Sequence, residues 1–373
     1  MKNNGKTLVA LLTNNDDDVY CFRKELVEAL FDNGYQVLIS CPYGEKFDLL
    51  RDWEYIYDDP AIDRRGTNVI ADLKLLCHYR KLFQAHHPSI VLAYTAKPNV
   101  YGGLAAYSLG IPVISNLTGF GSVLQKKGLI RHFIMRLFKF AYTRSACVMF
   151  QNKNNMELAL KMGMVKGQYK LLPGSGVALD RFTLQPYPMD SDKVVFNYIG
   201  RILHEKGVDD FIKAAEIIKA KHPETEFNMM GFIEPTEMHY EKKLKELEAR
   251  GIIRYHGNLK DIRPMLARSH ATIHPSIYGE GMSNVLLESA ASGRPVITTD
   301  TIGCRETVLP DVSGFIYPGG NVDELCKTIE MFMALPPEKR RDMGLAGRRH
   351  VENGYSRQIV IDAYLEAIEK TLH

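Results

Sequence analysis

Short apolar runs alternate with amphipathic stretches along the chain. In its first half, five runs have the length and β-branched content of buried strands: "TLVALLT", "QVLIS", "SIVLAYT", "PVISNLT" and "CVMFQN". The polar loop "NNDDD" follows the first run. A helix is predicted next, because Phe22, Leu26 and Leu30 repeat with a helical period before an Asn-Gly stop. Strands that alternate with helices predict a parallel sheet with helices on both faces.

The same alternation begins again after a segment rich in proline and glycine, residues 173–190. Helices are predicted for residues 208–221 and for "EMHYEKKLKELEARG", and strands for "KVVFNYIG", "EFNMMG", "IRYHG", "ATIHPS" and "PVITTD". A chain of 373 residues is long for a single core. We therefore expect an α/β protein of two doubly wound domains, with a ligand cleft between the carboxyl edges of their strands.

The composition is that of a soluble globular protein, with 45% hydrophobic and 24% charged residues. The apolar run near the N-terminus is too short for a signal peptide. Six scattered cysteines without metal-binding spacing fit reduced thiols, so we expect a cytoplasmic protein. The longest uncharged stretch, residues 98–125, is interrupted by prolines and glycines, and we expect no membrane-spanning helix.

The net charge of +3 is unevenly distributed along the chain. No acidic residue occurs between Asp72 and Glu157, and the eleven lysines and arginines in that segment leave −8 for the rest of the chain. A cationic first half indicates an anionic partner, which could be lipid headgroups, nucleic acid or a phosphorylated substrate. A solvated basic face without a partner is the alternative.

The stretch "YGEGMSNVLLESAASGRPVI", residues 278–297, places two carboxylates around the start of one predicted helix. Ser283 or Asn284 is a natural N-cap, so Glu280 precedes the helix and Glu288 lies about one turn inside it. A capping box would need an acid three residues after the cap, so capping does not explain Glu288. Amides at a helix start favour anions, and two acids beside them indicate hydrogen bonds to sugar or ribose hydroxyls. Surface glutamates without a ligand are the alternative.

A second stretch, "NYIGRILHEKGVDDF", places Arg201 and Lys206 just before a helix predicted to begin at Val208. Cations at that position oppose the helix dipole by roughly 0.3–1 kcal/mol each. A diphosphate bound between them would explain the pair, because arginine offers a planar fork and lysine a point charge. An exposed charged turn is the alternative.

Together the two motifs resemble those of the retaining glycosyltransferases of family four, which have the GT-B fold. The matching residues are Gly200-Arg201 with Lys206-Gly207, followed about eighty residues later by Glu280 and Glu288 with seven residues between them. "KPNVYGGLAAYSLGIPVISNLTGFG" is similar to the subgroup that builds capsule, O-antigen and other lipid-linked glycans. The resemblance covers most of the chain. It implies two Rossmann-like domains facing each other across a cleft. An acceptor-binding domain would span residues 1–180 and a nucleotide-sugar domain residues 186–354, with a C-terminal helix at about 355–373 packed on the first.

The resemblance also assigns roles to the motif residues. Arg201 and Lys206 are expected to contact the donor's diphosphate, Glu280 to lie at the donor sugar and Glu288 to hold the nucleotide ribose. The first three form the predicted catalytic set. The other donor-binding residues predicted from the same motifs are Gly200, Gly281, Met282, Ser283, Asn284 and Val285.

One departure from the family concerns a histidine that, in many members, follows an N-domain strand and touches the donor sugar. Here "SNLTGFGS" occupies that place, with Thr118 at the position of the imidazole. A catalytic histidine is therefore not assumed. Thr118 and the backbone of Gly119 and Phe120 are still expected to line the donor site.

Several other residues have two open interpretations. Arg65 and Asn68 in "DRRGTN", and Lys97 in "TAKPN", are candidate acceptor contacts or structural loop residues. His256 is expected at a strand end near the uracil. "NNDDD" could mimic a metal site, but it occupies the position of an acceptor-facing loop in a family that is typically metal-independent. No metal or other cofactor is predicted. No GxGxxG motif follows the first strand, which argues against a dehydrogenase.

The segment "QKKGLIRHFIMRLFKFAYTR" mixes apolar side chains with Lys126, Lys127, Arg131, Arg136 and other cations up to Arg144. Such a helix can lie on an anionic bilayer, or its apolar side can be core.

The function expected from these features is transfer of a sugar from a UDP-linked donor, a UDP-hexose or UDP-HexNAc. The acceptor would be an undecaprenyl-diphosphate-linked glycan in capsule, O-antigen or exopolysaccharide synthesis. The enzyme would act at the inner face of the plasma membrane, without a nucleic-acid partner. A sugar-nucleotide epimerase of the same fold and a non-catalytic, membrane-associated nucleotide-sugar binding protein remain the alternatives.

Overall fold

The structure, a computed structural model, describes residues 7–63, 68–120, 128–189 and 193–373, with the side chains of residues 128–131 and 133 left aside. The chain divides into two compact units. The first is Met1–Gly176 together with Arg357–His373, and the second is Val177–Ser356. Each unit contains one parallel sheet whose two faces are covered by separate apolar clusters.

The sheet of the first unit has seven parallel strands in the order β3-β2-β1-β4-β5-β6-β7. They are β1 (Leu8–Leu12), β2 (Gln36–Ser40), β3 (Ile56–Asp58), β4 (Ile90–Tyr94), β5 (Val113–Leu117), β6 (Cys147–Phe150) and β7 (Gln168–Leu171). All five predicted strands are confirmed. The two additional strands, β3 and β7, are the sheet edges, and neither has the buried apolar run that the prediction relied on.

The helices before the domain connection are α1 (Asp16–Phe22), α2 (Lys24–Asp32), α3 (Val69–His86), α4 (Gly103–Tyr107), α5 (Gly128–Tyr142) and α6 (Lys153–Lys161). The prediction of a loop at "NNDDD" is wrong, because these residues begin α1. The side chain of Asn15 accepts a hydrogen bond from the Asp18 amide at 2.9 Å, and three aspartates occupy the first turn. Both features stabilise a helix start, the first by capping an amide and the second by favourable charge.

The second unit has six parallel strands in the order β10-β9-β8-β11-β12-β13. They are β8 (Val195–Ile199), β9 (Glu226–Met230), β10 (Arg254–Tyr255), β11 (Ala271–His274), β12 (Val296–Thr299) and β13 (Gly314–Tyr317). The helices are α7 (Val208–Lys221), α8 (His239–Ala249), α9 (Arg263–Arg268), α10 (Asn284–Ala291), α11 (Val322–Ala334) and α12 (Pro337–Gly354). The bounds predicted for α7 are confirmed.

The last helix, α13 (Arg357–Leu372), belongs to the first unit. Its apolar side, which includes Val360, Tyr364 and Ile368, packs in the same cluster as α1, α2 and one face of the sheet. The Tyr364 hydroxyl accepts a hydrogen bond from the buried Asn116 amide at 2.8 Å. Among the helices of the described residues, none has both the length and the apolar character needed to cross a bilayer.

The strand order reverses once in each sheet. In the second unit, β8 pairs with β9 on one side and with β11 on the other, so the chain turns in opposite directions after β8 and after β11. Loops that leave two such neighbouring strands diverge, and the crevice between them is where open α/β sheets bind ligands. The loops after β8 and β11 carry the two sequence motifs.

Candidate active site

The two motif loops leave the carboxyl ends of adjacent strands in the second unit. Arg201 follows β8 by two residues, and Glu280 lies six residues after β11. The register of the pair, Ala271 with Phe196 and Thr272 with Asn197, brings both strands to the same edge of the sheet. The predicted diphosphate and sugar motifs therefore meet at the crevice between β8 and β11.

A glycine locks the two loops together. Gly207 has a φ of +69°, and a Cβ placed there would lie 1.9 Å from the carbonyl oxygen of Pro275, closer than any side chain could approach. The backbone around it is also bonded across the loops, since the Ile277 amide donates to the Glu205 carbonyl at 3.1 Å. The glycine next to Lys206 is thus needed for the close contact that places this lysine beside the second motif.

Lys206, Glu280 and His274 form a charged cluster at this junction. The Lys206 ammonium lies 2.6 Å from Glu280 Oε1, and both side chains are about 15% exposed. His274 Nε2 lies 3.0 Å from the same carboxylate oxygen, and this histidine side chain is only 3% exposed. Cys304 brings its sulfur into the same group, because the nearest ligand-type atoms of His274, Glu280 and Cys304 all lie within 4.8 Å of one another.

The cluster fixes the charge of each member. Burial alone would lower the pKa of His274, but the neighbouring Cys304 sulfur and the hydrogen bond to Glu280 raise it to about 9. Burial alone would raise the pKa of the Glu280 carboxyl, but the charges of Lys206 and His274 hold it well below its usual range. Glu280 is therefore a carboxylate at neutral pH and His274 an imidazolium. A carboxylate held so firmly in its ionised form is a poor proton acceptor and a poor proton donor.

Arg201 has its own carboxylate partner in the loop that follows the neighbouring strand β9. Arg201 Nη1 donates to Glu234 Oε1 at 2.6 Å, and Glu234 is 7% exposed whereas the arginine side chain is 41% exposed. The backbone beside it is tied to the loop after β9, since Ile202 bridges to Ile233. An arginine has five N–H donors, so a guanidinium held from one side still offers donors to a bound anion.

The start of α10 matches the predicted helix start. Asn284 is the first helical residue and Ser283 the N-cap, although the Ser283 side chain makes no capping bond. The backbone amide of Ser283 donates to the Gly303 carbonyl at 2.7 Å, and the backbone amide of Glu280 donates to the Ile302 carbonyl at 2.8 Å. The Asn284 Oδ1 atom is buried and accepts no hydrogen bond from the described residues. A buried acceptor without a donor is uncommon and marks a place where a ligand can donate one.

The remaining predicted donor residues of the second unit lie along the same loop and helix. Met282 is 9% exposed and packs in the apolar cluster under α10, so its side chain is core and only its backbone is available. Gly281, Val285 and Glu288 are half-buried, with Glu288 one turn into the helix from Asn284. Gly200 lies directly after β8, and its amide donates to the Met230 carbonyl at 2.9 Å.

In the first unit, Thr118, Gly119 and Phe120 follow β5 directly, at the carboxyl edge of its sheet. The Phe120 ring is 3% exposed and packs against Phe138, with the ring centroids 6.5 Å apart. A ring buried in this way leaves only the backbone of Phe120 available to a ligand, and its place in the donor site stays a prediction.

The candidate acceptor residues have structural partners. The Lys97 ammonium lies 2.6 Å from Asp72 Oδ1, and both side chains are less than 15% exposed. Asn68 caps α3, because its side chain accepts from the Ile70 amide at 2.9 Å. Arg65 lies outside the described residues. These two contacts give Lys97 and Asn68 a structural role that needs no bound acceptor. Their role in acceptor binding stays a prediction.

Two other sequence candidates also have defined contacts. His256 follows β10, and its Nε2 lies 2.8 Å from Asn228 Oδ1 at the end of the sheet. In "NNDDD", the Asp18 carboxylate accepts a hydrogen bond from Thr13 at 2.6 Å, and Asp17 pairs with Lys46. These aspartates are engaged by protein donors, which favours a structural role for them over a cation site.

Sequence reasoning missed His274, Glu234 and the loop of Gly303 and Cys304. His274 lies at the end of one predicted strand and Glu234 shortly after the end of another. The sequence could therefore have placed both residues at the carboxyl edge of the sheet. Their pairing with Glu280 and Arg201 depends on the strand order, which the sequence pattern does not specify.

Comparison with known proteins decides the family. The family described as "Glycosyl transferases group 1" matches residues 181–350, and "Glycosyl transferase 4-like" matches residues 9–152. The chain belongs to the glycosyltransferases of family four and has the GT-B fold, as its two motifs predicted. This glycosyltransferase is 24% identical to an N,N'-diacetylbacillosaminyl-diphospho-undecaprenol alpha-1,3-N-acetylgalactosaminyltransferase of Campylobacter jejuni, over 98% of this chain and 99% of that protein.

One further relative and one solved structure are similar to this chain. A UDP-Gal:alpha-D-GlcNAc-diphosphoundecaprenol alpha-1,3-galactosyltransferase of Escherichia coli is 24% identical, over 77% of this chain and 78% of that protein. Among solved structures, Anabaena HepE in complex with UDP and glucose has a TM-score of 0.80 with 17% identity, and the match covers 98% of this glycosyltransferase and all of that chain. The structural likeness confirms the fold that the sequence motifs predicted.

Proposed function

We propose that this glycosyltransferase transfers a hexose or N-acetylhexosamine from a UDP-linked donor to a glycan carried on undecaprenyl diphosphate, with retention of anomeric configuration. The observation that carries the proposal is the junction of Lys206 with Glu280 at the crevice between β8 and β11, beside Arg201. Both relatives named above act, by their names, on sugars linked to undecaprenyl diphosphate, and one uses UDP-galactose. Capsule, O-antigen and exopolysaccharide synthesis are the processes that use such products.

In the proposed complex, the donor's diphosphate binds between Arg201 and Lys206. Negative charge grows on the diphosphate as the bond from its oxygen to the anomeric carbon breaks, and two fixed cations stabilise that charge without having to reorganise. Lys206 is bound to Glu280 in the free protein, so the diphosphate would share this ammonium with the carboxylate. Backbone amides at the start of α10 add a further site for negative charge.

The two glutamates would hold different parts of the donor. Glu280, kept ionised by Lys206 and His274, would accept hydrogen bonds from the hydroxyls of the sugar. Glu288, one turn into α10, would accept from the ribose hydroxyls. The Asn284 Oδ1 atom, which has no partner in the part of the chain that the structure describes, offers a third acceptor to the donor. Because Glu280 is a poor base, the acceptor hydroxyl would pass its proton to the departing phosphate oxygen on the same face.

The proposal is tested by measuring UDP release from a panel of UDP-sugars, with and without an undecaprenyl-diphosphate-linked acceptor. Release that requires the acceptor supports transfer. Free UDP and sugar formed without an acceptor would instead support an epimerase, and donor binding without any UDP would support a non-catalytic binding protein. Product analysis by NMR gives the anomeric configuration, and inversion would contradict the retaining mechanism.

We also propose that the protein is cytoplasmic and attaches to the inner face of the membrane through the basic helix at residues 126–144. On its described part, Met135, Phe138 and Tyr142 pack into the core, whereas Arg136 and Lys139 are exposed. Phe140 on the same helix is 41% exposed, so contact with a bilayer would be made by these cations together with one aromatic ring. Lys126 and Lys127 lie outside the described residues. Replacing Lys126, Lys127, Arg131 and Arg136 with serine should release the protein from anionic vesicles while UDP still binds, and unchanged vesicle binding would contradict this attachment.

A further inference from the structure

The helix α3 has an outer face that no other part of the described chain covers. Its buried side consists of Leu75, Tyr79 and Phe83, which pack on the sheet. On the opposite side lies what we call the α3 face, a strip of exposed residues at helical spacing: Val69, Ile70, Leu73, Lys74, Cys77 and Lys81. Val69 is 63%, Ile70 67% and Leu73 54% exposed, so large apolar side chains stand in water here. Grouped exposed apolar residues of this kind mark a binding surface.

The charged side chains of the α3 face itself are cations, and at its edge His78 Nε2 lies 2.9 Å from Asp58 Oδ2. Among the described residues, Lys74, Arg80 and Lys81 form no ion pair with any carboxylate. The one acid of this helix, Asp72, is turned inward and is held by Lys97 at 2.6 Å and by the Tyr101 hydroxyl at 2.8 Å. Exposed apolar side chains flanked by free cations are the combination that binds anionic lipid.

The neighbouring helices extend the same surface. α3 packs beside α4, and α4 is followed in the same layer by α5, whose buried residues face the same side of the sheet. Tyr107 on α4 is 55% exposed, and the Arg144 guanidinium lies over its ring at 5.0 Å. The helices α3 and α5 therefore cover the same face of the sheet.

We propose that the α3 face docks on an anionic lipid surface, with Ile70 and Leu73 entering the headgroup region and Lys74 and Lys81 contacting phosphates. The dimensions favour a bilayer over a protein partner. A helix of 18 residues is about 27 Å long, and a strip of one helix's width is well below the roughly 800 Å² per partner of a stable protein interface. A second copy is disfavoured as well, because a two-fold contact would place the same lysines against each other.

The purpose of such docking rests on the proposed function, because docking would bring the enzyme to a membrane-bound acceptor. Binding to lipid does not itself depend on that function. It is therefore measured without donor or acceptor, by co-sedimentation with vesicles of three parts phosphatidylcholine and one part phosphatidylglycerol. Vesicles of phosphatidylcholine alone are the comparison. Loss of transfer in a detergent-solubilised assay would count against the proposed function and would leave the vesicle result standing.

The double variant Lys74→Ser/Lys81→Ser should bind the anionic vesicles about 25-fold more weakly, at roughly 5-fold for each cation near the surface. The matched control is Lys242→Ser/Lys245→Ser, which removes two exposed lysines from α8 in the other unit and should bind like the unmodified protein. Circular dichroism melting checks that all variants fold. Equal binding by the two double variants, or no binding by the unmodified protein, would overturn the proposal.

The apolar part of the α3 face has a separate test. Leu73→Ser should remove the fraction of vesicle binding that persists at high salt, because salt screens the lysines but not apolar insertion. Leu49→Ser is the control, since Leu49 has a similar exposure of 61%. Sedimentation velocity of the unmodified protein and of Leu73→Ser tests whether a second copy of the chain binds the α3 face instead of lipid. A dimer that Leu73→Ser abolishes would assign the face to a second copy and would refute lipid docking.

Discussion

Replacing His274 with glutamine should remove a part of the stability of the second unit that depends on pH. His274 is buried, and its Nε2 contacts the Glu280 carboxylate at 3.0 Å, opposite Lys206. Glutamine can still donate one hydrogen bond to that carboxylate, but it carries no charge and does not titrate. The comparison therefore isolates what the proton on the imidazole contributes.

The magnitude follows from the difference between the folded and unfolded pKa of His274. Its pKa is raised from the ordinary 6.5 to about 9 in the folded chain. At about 1.4 kcal/mol for each pH unit between those values, the protonated imidazole contributes on the order of 3 kcal/mol. The folded pKa is the higher one, so this contribution is complete below pH 6.5 and is lost as the pH rises through about 9.

Two measurements check this prediction. Urea unfolding at a series of pH values should show the unmodified protein losing stability relative to His274→Gln between pH 6.5 and 9. NMR titration of protein labelled at histidine nitrogens should show one signal, absent from His274→Gln, that titrates near pH 9. A His274 signal that titrates at or below its ordinary pKa would refute the reasoning, because the carboxylate would then not be holding the proton.

Three further predictions concern the candidate active site. Arg201→Ala and Lys206→Ala should each lower turnover by roughly 10²-fold or more, the effect of removing one fixed charge stabiliser; near-normal turnover in both would remove the diphosphate assignment. Glu288→Ala should mainly weaken UDP binding and Glu280→Ala mainly lower the rate, so equal losses of UDP affinity by calorimetry would contradict their separate roles. Gly207→Ala should lower the melting temperature far more than Gly251→Ala. Both glycines have a φ of +69°, but only Gly207 has a carbonyl 1.9 Å from the added Cβ, so similar melting temperatures would disprove the close-contact argument.

The parts of the fold that could be predicted are those whose signal lies within one short segment. The bounds of α7 follow from Gly207 at its start and from a continuous helical period. The buried strands follow from their apolar runs, whereas β3 and β7 are short edge strands without such runs. The helix α1 was missed because three consecutive aspartates were interpreted as a loop, although acids also stabilise the first turn of a helix.

The candidate site divides in the same way. Arg201, Lys206, Glu280 and Glu288 could be proposed from spacing within two segments. His274 and Glu234 could not be assigned, because their partners lie on other loops and the strand order alone brings them together. The inward position of Asp72 is a third case. Only the packing of α3 shows that this acid pairs with Lys97 and not with the exposed lysines of its own helix.

The C-terminal helix α13 has a consequence for how the chain folds during synthesis. The first unit is completed by residues 357–373, which are synthesised after the whole of the second unit. Until then, the apolar side of the sheet that receives Val360, Tyr364 and Ile368 has no cover, and the Asn116 amide lacks the Tyr364 hydroxyl. The second unit is contiguous and can fold first, although it is synthesised later than most of the first. A nascent chain of this enzyme thus carries an exposed apolar surface until the second unit has been made, and removal of residues 357–373 would leave that surface of the first unit without its cover.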